Sequence, residues 1–382
     1  MKRLNSSLKY VWQRPQWPRF EWRNEVLLPL VSRARLAQGK FLSKVFSLGF
    51  KLSREACAGI LTEEAVKTSE IEGERLNRDS VRSSVARHLG LPAAGLPRPD
   101  RAVDGLVEVL LDATEKHDKP LTAARLQKWQ AALFPTGHSG LSKITTGRWR
   151  SSDSPMRVLS GPIGKEKVHF EAPPGKAMAK EMKQFLEWWN SSRNLEDGLL
   201  RSALAHFYFV TIHPFEDGNG RIARALTDMA LAQDEKLSMR FYSLSSQIME
   251  EREDYYDVLE TCQKGTGDLT PWLKWYLEGY TRAVEKAQKL TADVLAKATF
   301  WQHRSQIELN EHQRKVINRL LDAGRDGFKG GLTNRKYVSM AKVSRATAFR
   351  EITDMLEKKV LVQNPAKGRS ASYDLNWPSG NV

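Results

Sequence analysis

Apolar residues recur at intervals of three and four along most of this chain, a spacing that predicts a mostly α-helical protein. The first helical run is LLPLVSRARLAQGKFLSKVFSLGF, for which Gly49 is the predicted end. Further helical runs are predicted at about 52–90, 101–134, 176–190, 198–213, 221–232, 245–264 and 269–297. The run 101–134 is long enough for two or three helices. The segment GLLRSALAHFYFVTIH is the most apolar of them and is expected at the centre of a helical bundle.

The spacing changes in two places. Residues 137–175 are dense in Gly, Pro and Ser, and the short alternating pieces MRVLS and KVHFEA predict a β-hairpin or an extended flap. Beyond about residue 300, the sequence predicts a helix, a turn, a second helix and a two-stranded wing with AKGRS at its tip. Ser344 is the predicted cap of that second helix. Its predicted buried stripe is Phe349, Ile352, Met355 and Leu356.

Length and composition set the organisation. A chain of 382 residues, 41% of them hydrophobic, suits two or three domains with real cores. We expect an N-terminal helical extension at 1–60, a central domain at 61–297 and a third domain at 298–382. The basic N-terminus lacks the apolar stretch of a secretory signal, and no segment has the roughly 18 apolar residues of a membrane span. Cys57 and Cys262 lack ligand spacing, so we expect neither zinc nor a disulfide framework, but a reducing cytoplasm.

The formal net charge of +15 favours a polyanionic partner. Nucleotide phosphates, nucleic acid and an acidic protein are the candidates, although basic residues mixed with 45 acidic ones also suit solvated helix faces. Residues 301–382 carry 15 lysines and arginines against 8 acidic residues, which indicates a separate basic domain.

The candidate chemistry lies in HPFEDGNGRIAR, directly after the most apolar helix. Gly218 and Gly220 allow the backbone to approach a ligand closely, and amide hydrogens at a helix start form an anion site. The Asn219 side chain adds donors, and Arg221 and Arg224, three residues apart on a helix, can both reach phosphate oxygens.

Two residues beside this loop could supply the reactive chemistry. Asp217 is a hard oxygen ligand that suits Mg²⁺, and His213 has an ordinary pKa that suits a general base near neutral pH. Alone, a glycine loop or a histidine at a helix end is weak evidence for a site. Their combination within twelve residues predicts a phosphate site, although not a P-loop, because GxxxxGK[ST] is absent.

The same run matches every fixed position of HxFx(D/E)GN(G/K)RxxR, so the chain resembles Fic-domain proteins over roughly residues 60–290. Its opening stretch, YVWQRPQWPRFEW onward, looks like the extension of uncharacterised function that often precedes such domains. The resemblance implies a helical bundle with a β-hairpin flap, and transfer of AMP from ATP to a Ser, Thr or Tyr hydroxyl of a target protein.

The resemblance also implies a role for each residue of the run. His213 would deprotonate the target hydroxyl, Asp217 would hold Mg²⁺ on the phosphates, and Phe215 would anchor the loop. The remaining residues would bind the phosphates: Gly218, Asn219 and Gly220 as an anion hole, with Arg221 and Arg224 beside it. In-line transfer of this kind depends mainly on positioning and charge neutralisation.

A second motif lies upstream, in TSEIEGE. Ser69 and Glu72 are spaced like a helix capping box, and Glu72 could simply be solvated. Within the resemblance, Thr68, Glu72 and Gly73 match the inhibitory motif (S/T)xxxE(G/N). Glu72 would then pair with Arg224, occupy the place of the γ-phosphate and restrain transfer. In some relatives such a glutamate also serves removal of AMP.

The resemblance further assigns substrate contacts. The flap would receive the target as an added strand, with Met156 and Val158 as clamps, unless it is an ordinary surface hairpin. The adenine pocket would come from SLSSQIMEEREDYYDVL, with Glu250, Tyr255 and Tyr256 at helical spacing, although at least one tyrosine is expected in the core.

The third domain resembles a winged helix–turn–helix. Arg345, Thr347 and Arg350 would face outward and could enter the major groove of DNA. Protein contacts or dimerisation are equally open, and the sequence leaves open a homodimer. Two rival functions remain: AMP removal or transfer of another phosphate-containing group, and DNA-binding regulation with a nucleotide-sensing core.

Overall fold

A computed structural model of the protein describes residues 8–46, 50–91, 96–152, 155–160, 167–304, 306–323, 328, 330–365 and 371–377. The chain divides into two compact units, residues 1–287 and 288–382. The predicted helix end at Gly49 and the predicted wing tip AKGRS lie outside the described residues.

The first unit is helical apart from two hairpins, as the apolar spacing predicts. Its helices are α1 (Asn24–Phe46), α2 (Phe50–Ile71), α3 (Arg78–His88), α4 (Arg101–Glu115), α5 (Ala123–Leu133), α6 (Met178–Ser191), α7 (Gly198–Ile212), α8 (Asn219–Glu235), α9 (Leu244–Glu250) and α10 (Arg252–Gln263). The longest helix, α11 (Thr270–Gln302), contains the division between the units. No helix in the described part of the chain is long and apolar enough to cross a membrane.

Helix α7 lies at the centre of the first unit, as predicted. Asp197 caps its start by accepting hydrogen bonds from the amides of Leu199 and Leu200. Nearly all its residues are buried, and it packs along α8, while α4 covers α8 as well. This arrangement holds the link between α7 and α8, which is the HPFEDGNGRIAR run, at the edge of the main hydrophobic core.

Two predicted runs are each split into two helices. The run 52–90 breaks after Ile71, where Gly73 adopts φ 83°, a left-handed conformation that glycine adopts without strain. The run 245–264 breaks at Glu251, between α9 and α10. At the first break, apolar residues on both sides, such as Leu61 of α2 and Val85 of α3, pack on the same core, which makes the two helices look like one in the sequence.

The predicted hairpin is present between α5 and α6. Strands β3 (Arg157–Ser160) and β4 (Lys167–Glu171) pair antiparallel, with a bulge at Val158/Leu159, and a shorter hairpin, β1 (His138–Ser139) with β2 (Ser142–Lys143), precedes them. The N-terminal segment supports the longer hairpin. Tyr10 packs edge-on against Phe170, and the Trp12 indole donates to the Glu171 carbonyl.

The second unit has its own small core around Ile317, Tyr337 and Met355. Its elements are α12 (Glu311–Asp322), α13 (Asn334–Ala341), α14 (Arg345–Glu357), β5 (Leu361–Gln363) and β6 (Tyr373–Leu375), and the two strands pair antiparallel. Ser344 caps α14 through the Thr347 amide, as predicted.

The predicted buried stripe of α14 was wrong at Phe349, whose surface is 64% exposed. Ala348 occupies the buried position instead, together with Ile352 and Met355. Ala348, Ile352 and Met355 follow one another at spacings of four and then three residues, which keeps their side chains on one face of the helix. Phe349 lies about 100° away from that face.

Both cysteines of the chain are free and buried, as expected of a chain without a disulfide framework. Burial raises the pKa of Cys57 and of Cys262 to about 11, which keeps the thiols protonated and unreactive at neutral pH.

Candidate active site

The turn between α7 and α8 depends on two left-handed residues. His213 ends α7 with φ 53°, and Gly218 precedes α8 with φ 88°. A left-handed conformation costs a residue other than glycine about 1–2 kcal/mol, so surrounding contacts must hold His213 in place. At Gly218 only glycine fits, because a Cβ would lie 2.9 Å from the Phe134 ring.

The His213 ring is held in one tautomer. Its Nδ1 lies 3.3 Å from the Val210 carbonyl, which can only accept, so Nδ1 carries the hydrogen and Nε2 keeps its lone pair. Burial lowers the pKa of His213 to about 4; the Val210 hydrogen bond opposes this, and the charge of Arg150 reinforces it. The imidazole is therefore neutral at pH 7, as a general base requires.

The loop is closed by the Asn219 side chain. Its Oδ1 accepts from the Phe215 amide at 2.9 Å, and its Nδ2 donates to the Phe215 carbonyl at 2.8 Å. An amide nitrogen carries two hydrogens, so the predicted donation to an anion stays a prediction beside this structural role. Phe215 is fully buried, in keeping with its predicted role as an anchor, and packs on Trp149.

Arg224 is buried, and its partners are those of the upstream motif. It donates to the Thr68 hydroxyl at 2.6 Å, to the Thr68 carbonyl at 2.9 Å and to Glu72 Oε1 at 2.7 Å. Burial acts to lower its pKa, but the charge and hydrogen bond of Glu72, together with Tyr255 and Tyr256, outweigh burial, and the net shift of the pKa is upward. Its Nη1 is buried and has no hydrogen-bond partner among the described residues.

Glu72 also fills the space above the glycine turn. A Cβ on Gly220 would lie 2.0 Å from Glu72 Oε1, so the carboxylate rests directly against the turn. The capping-box alternative for Ser69 and Glu72 was wrong. Ser69 lies in the last turn of α2 and Glu72 directly follows the helix, at its C-terminal end, and the Ser69 carbonyl accepts from the Glu72 and Glu74 amides.

Arg221 has a partner that the sequence did not indicate. It donates to Glu74 Oε2 at 2.9 Å, and its guanidinium lies over the Phe134 ring. Both arginines of the run therefore contact the end of α2 and the residues just after it: Arg224 contacts Thr68 and Glu72, and Arg221 contacts Glu74. Because these contacts join positions about 150 residues apart, no local pattern could have identified Glu74.

Asp217 is the carboxylate of the run that was predicted to hold a metal. Its Oδ2 accepts from the Ser139 hydroxyl and its Oδ1 from the Gly218 amide. Among the described residues, no cluster of three or more His, Cys, Asp or Glu side chains could hold a metal ion by itself. Mg²⁺ commonly binds through one or two carboxylates together with substrate phosphates, so a single Asp217 beside the predicted phosphate site fits this ion.

A cavity of about 590 Å³ opens beside the turn. Of the predicted residues, those lining it are Glu72, Val158, His213, Gly220, Tyr255 and Tyr256. Met156 does not line it, but packs behind the flap near Tyr10 and Phe170. The flap also contributes His169, which pairs with Glu260 of α10.

Glu250 was predicted to line this pocket and does not. It lies at the end of α9 and pairs with Lys286, because the break at Glu251 separates it from the helix that carries the tyrosines. Tyr255 is the tyrosine expected in the core, with its hydroxyl 2.9 Å from His206 Nε2. The Tyr256 hydroxyl donates to the Ile71 carbonyl.

The segment 139–150, which was predicted only as part of the flap region, lies along the turn between α7 and α8. The Thr145 amide and hydroxyl both donate to Glu216 at 2.9 Å. Ser139 contacts Asp217, Trp149 packs on Phe215, and Arg150 donates to the His213 carbonyl. A tryptophan and an arginine in an irregular stretch carry no periodic signal, so only the structure identifies this role.

In the second unit, Arg345 and Arg350 are exposed on α14 and Thr347 is half-buried. An open cavity of about 820 Å³ beside them is lined by Thr347 and Arg350, but also by Glu308, Glu351 and Asp354. The charge of this surface is therefore mixed.

Comparison with known proteins agrees with this geometry. Residues 120–231 match the family described as "Fic/DOC family", and residues 10–91 match "Domain of unknown function (DUF4172)". A protein named "Protein adenylyltransferase Fic" from Nematostella vectensis is 31% identical over 57% of this chain and 46% of its own length. "Protein adenylyltransferase fic-1" from Caenorhabditis elegans is 29% identical over 30% of this chain and 22% of its own length. The chain thus spans less than half the length of these relatives.

Solved structures resemble the fold. A Fic family protein from Desulfovibrio desulfuricans G20 matches with a TM-score of 0.53 at 20% identity, over 96% of this chain and all of the other. A Fic domain containing signaling protein from Bacteroides thetaiotaomicron VPI-5482 matches with a TM-score of 0.52 at 19% identity, over 68% of this chain and 97% of its own. These likenesses show that the helical core has a Fic fold.

Proposed function

We propose, from the premise that this chain carries a domain of the Fic/DOC family, that it transfers AMP from ATP to a Ser, Thr or Tyr hydroxyl of a target protein. One observation carries the proposal: a neutral His213, Gly220 of the glycine turn and Glu72, whose carboxylate holds the buried Arg224 at 2.7 Å, border one cavity. A base, an anion site and a fixed positive charge are what this transfer requires.

In this reaction His213 Nε2 takes the proton of the target hydroxyl as its oxygen attacks the α-phosphorus of ATP. The bond from the hydroxyl oxygen to phosphorus forms, the bond to the bridging oxygen breaks, and pyrophosphate leaves. The Gly220 amide, with Arg221 and Arg224, binds phosphate oxygens, and the Gly218 amide joins them once it no longer donates to Asp217. Asp217 would hold Mg²⁺, which neutralises phosphate charge when bound.

The Glu72 carboxylate would act as a built-in inhibitor. It holds Arg224 at 2.7 Å and lies against Gly220, so it occupies the charge and the space that a phosphate needs. Val158 and the flap would receive the target strand, and Tyr255 and Tyr256 would border the nucleobase. We place the action of the enzyme in the cytoplasm, which its two free buried thiols suit.

Labelled ATP tests this function. Incubation of the protein with ATP labelled at the α-phosphate should place label on protein, and ATP labelled at the γ-phosphate should not. Label from the γ-phosphate would instead indicate phosphoryl transfer. Loss of label from a previously modified protein, without ATP, would favour AMP removal as the activity.

The acid limb of kcat/KM should lie near pH 4 to 5, because burial lowers the pKa of His213 to about 4. A base works only when unprotonated, and kcat/KM reports the free enzyme, so activity should persist well below the ordinary histidine range near 6.5. A pH series with circular dichroism at each point measures this. An acid limb near pH 6.5 in a folded protein would contradict it.

For residues 298–382 we propose a winged helix–turn–helix that binds duplex DNA weakly through α14. Exposed Arg345 and Arg350 support it, while Glu351 and Asp354 nearby limit the affinity. A contact with another protein is the alternative.

Replacing both Arg345 and Arg350 by Ala should weaken DNA binding at 50 mM salt by about tenfold or more and reduce its salt dependence, since each lost phosphate contact removes counterion release. Fluorescence anisotropy with a labelled duplex measures both. Arg319→Ala, an exposed arginine of α12, is the control and should have less effect. Equal affinities for the double variant and the unchanged protein would exclude α14 as the contact.

A further inference from the structure

Arg150 is a buried arginine whose guanidinium contacts backbone carbonyls at the end of α7. Its Nε donates to the His213 carbonyl at 2.7 Å, and its Nη2 donates to the Ile212 carbonyl at 3.3 Å and to Pro173. Its own amide donates to the Pro214 carbonyl at 2.9 Å. Only 4% of the residue is exposed, and no carboxylate among the described residues pairs with it.

These hydrogen bonds fix the orientation of both peptide planes that flank the His213 Cα. The Ile212 carbonyl belongs to the plane before His213, whose orientation sets φ, and the His213 carbonyl belongs to the plane after it, whose orientation sets ψ. One guanidinium therefore holds both backbone angles of a left-handed residue. The local sequence opposes this conformation, because a residue before proline is driven toward extended structure.

We infer that Arg150 is a positioning residue for the reaction proposed above, and that it aims His213 Nε2 into the cavity. A buried guanidinium also suits the C-terminal end of a helix, where carbonyl groups carry partial negative charge. The same group contacts Pro173, shortly after β4, so the base of the flap and the catalytic histidine are held by one side chain.

The positive charge of Arg150 also supports a general-base role, because it favours the neutral form of His213. It helps to lower the pKa of His213, against Glu72, Asp217 and the Val210 carbonyl, which all raise it. Charges of both signs therefore act on the His213 ring. Asp217 of the turn and Glu72 at the end of α2 are negative, and Arg150 of the segment before the flap is positive.

Two substitutions separate geometry from charge. Arg150→Gln removes the charge and the forked donors. We expect it to lower kcat about 100-fold with little change in KM for ATP, since small misplacement of a catalytic group costs rates of that order. The acid limb should also rise toward the ordinary histidine range. Arg150→Lys keeps the charge but cannot fork, so kcat should fall about tenfold while the acid limb stays low.

Arg201 provides the matched control. It is also buried and donates to Ser192, Gln233 and the Trp189 carbonyl at the other end of α7, and burial lowers the pKa of both arginines to about 10. Arg201→Gln should lower the melting temperature as Arg150→Gln does, but leave kcat and the acid limb of the folded enzyme unchanged.

The titration of His213 can also be followed by NMR, which needs no turnover. If the unchanged protein transfers nothing, the proposed reaction fails, while a His213 pKa raised in Arg150→Gln but not in Arg150→Lys or Arg201→Gln still shows that the Arg150 charge acts on the ring. The inference is overturned if Arg150→Gln changes kcat no more than Arg201→Gln, or if its loss lies in KM alone. Should Arg150→Gln not fold, Arg150→Lys decides, and an unchanged kcat in that variant overturns it.

Discussion

Replacing Glu72 by glycine is expected to raise the rate of AMP transfer about ten- to a hundred-fold. A hydrogen bond to a charged group is worth about 1.5–3 kcal/mol, which corresponds to that range once it no longer competes with ATP. Loss of the carboxylate frees Arg224 and empties the space above Gly220 for a phosphate. The gain should appear first as self-modification, measured with labelled ATP.

Two variants test the cause. Adding Arg224→Ala to Glu72→Gly should cancel the gain, because the released arginine is its proposed source. Glu70→Gly is the matched control: it removes a carboxylate from the same helix end, but Glu70 pairs with Lys67 and not with Arg224. Inhibition by Glu72 is rejected if Glu72→Gly and Glu70→Gly have equal effects, or if the double variant keeps the gain.

The same variant bears on AMP removal. If Glu72 also serves hydrolysis, Glu72→Gly should abolish any loss of AMP from modified protein that the unchanged enzyme shows. Persistent removal would deny Glu72 that role while leaving the test of inhibition intact.

Replacing His213 by alanine is expected to lower the rate of transfer about 10²- to 10⁴-fold, the usual contribution of a general base. ATP binding should remain, because the ring handles the proton of the target hydroxyl and the phosphates contact other groups. Label transfer and calorimetry with ATP measure the two effects. Since alanine is strained at φ 53°, His213→Asn, a residue that tolerates this conformation, should give the same loss.

His138→Ala provides the control for this substitution. His138 is exposed on β1, where its Nδ1 contacts the Thr136 carbonyl, and its loss should leave transfer unchanged. Transfer at a near-normal rate in both His213 variants would remove this residue from the mechanism.

Much of the site could be predicted from the sequence because its signals are local. Residues 213–224 form one continuous stretch, a turn and the beginning of α8, so the left-handed glycine, the buried Phe215 and the helix start follow from nearby positions. The pairing of Glu72 with Arg224 was also anticipated, although only through the resemblance to a family, since 152 residues separate the two.

Local signals misled wherever the chain could satisfy them in more than one way. Glu250 shares a helical spacing with Tyr255, but the helix breaks at Glu251. Glu250 therefore belongs to a different helix from Tyr255 and pairs with Lys286. The Asn219 side-chain amide suits an anion, but both of its ends also hydrogen-bond the Phe215 backbone, which closes the loop. Phe349 is apolar enough for the core, and Ala348 takes that place because the helix presents it to Ile317 and its neighbours.

The sequence by itself therefore determined the helical class, the central helix α7 and the turn between α7 and α8, because periodicity and turn chemistry act over a few residues. The tertiary structure decided which distant groups meet at that turn: Arg150 at the His213 carbonyl, Glu74 at Arg221 and Ser139 at Asp217. Such contacts form when helices and loops pack around one core. Their energy depends on burial and on partners far along the chain, and a residue's neighbours in sequence carry no record of either.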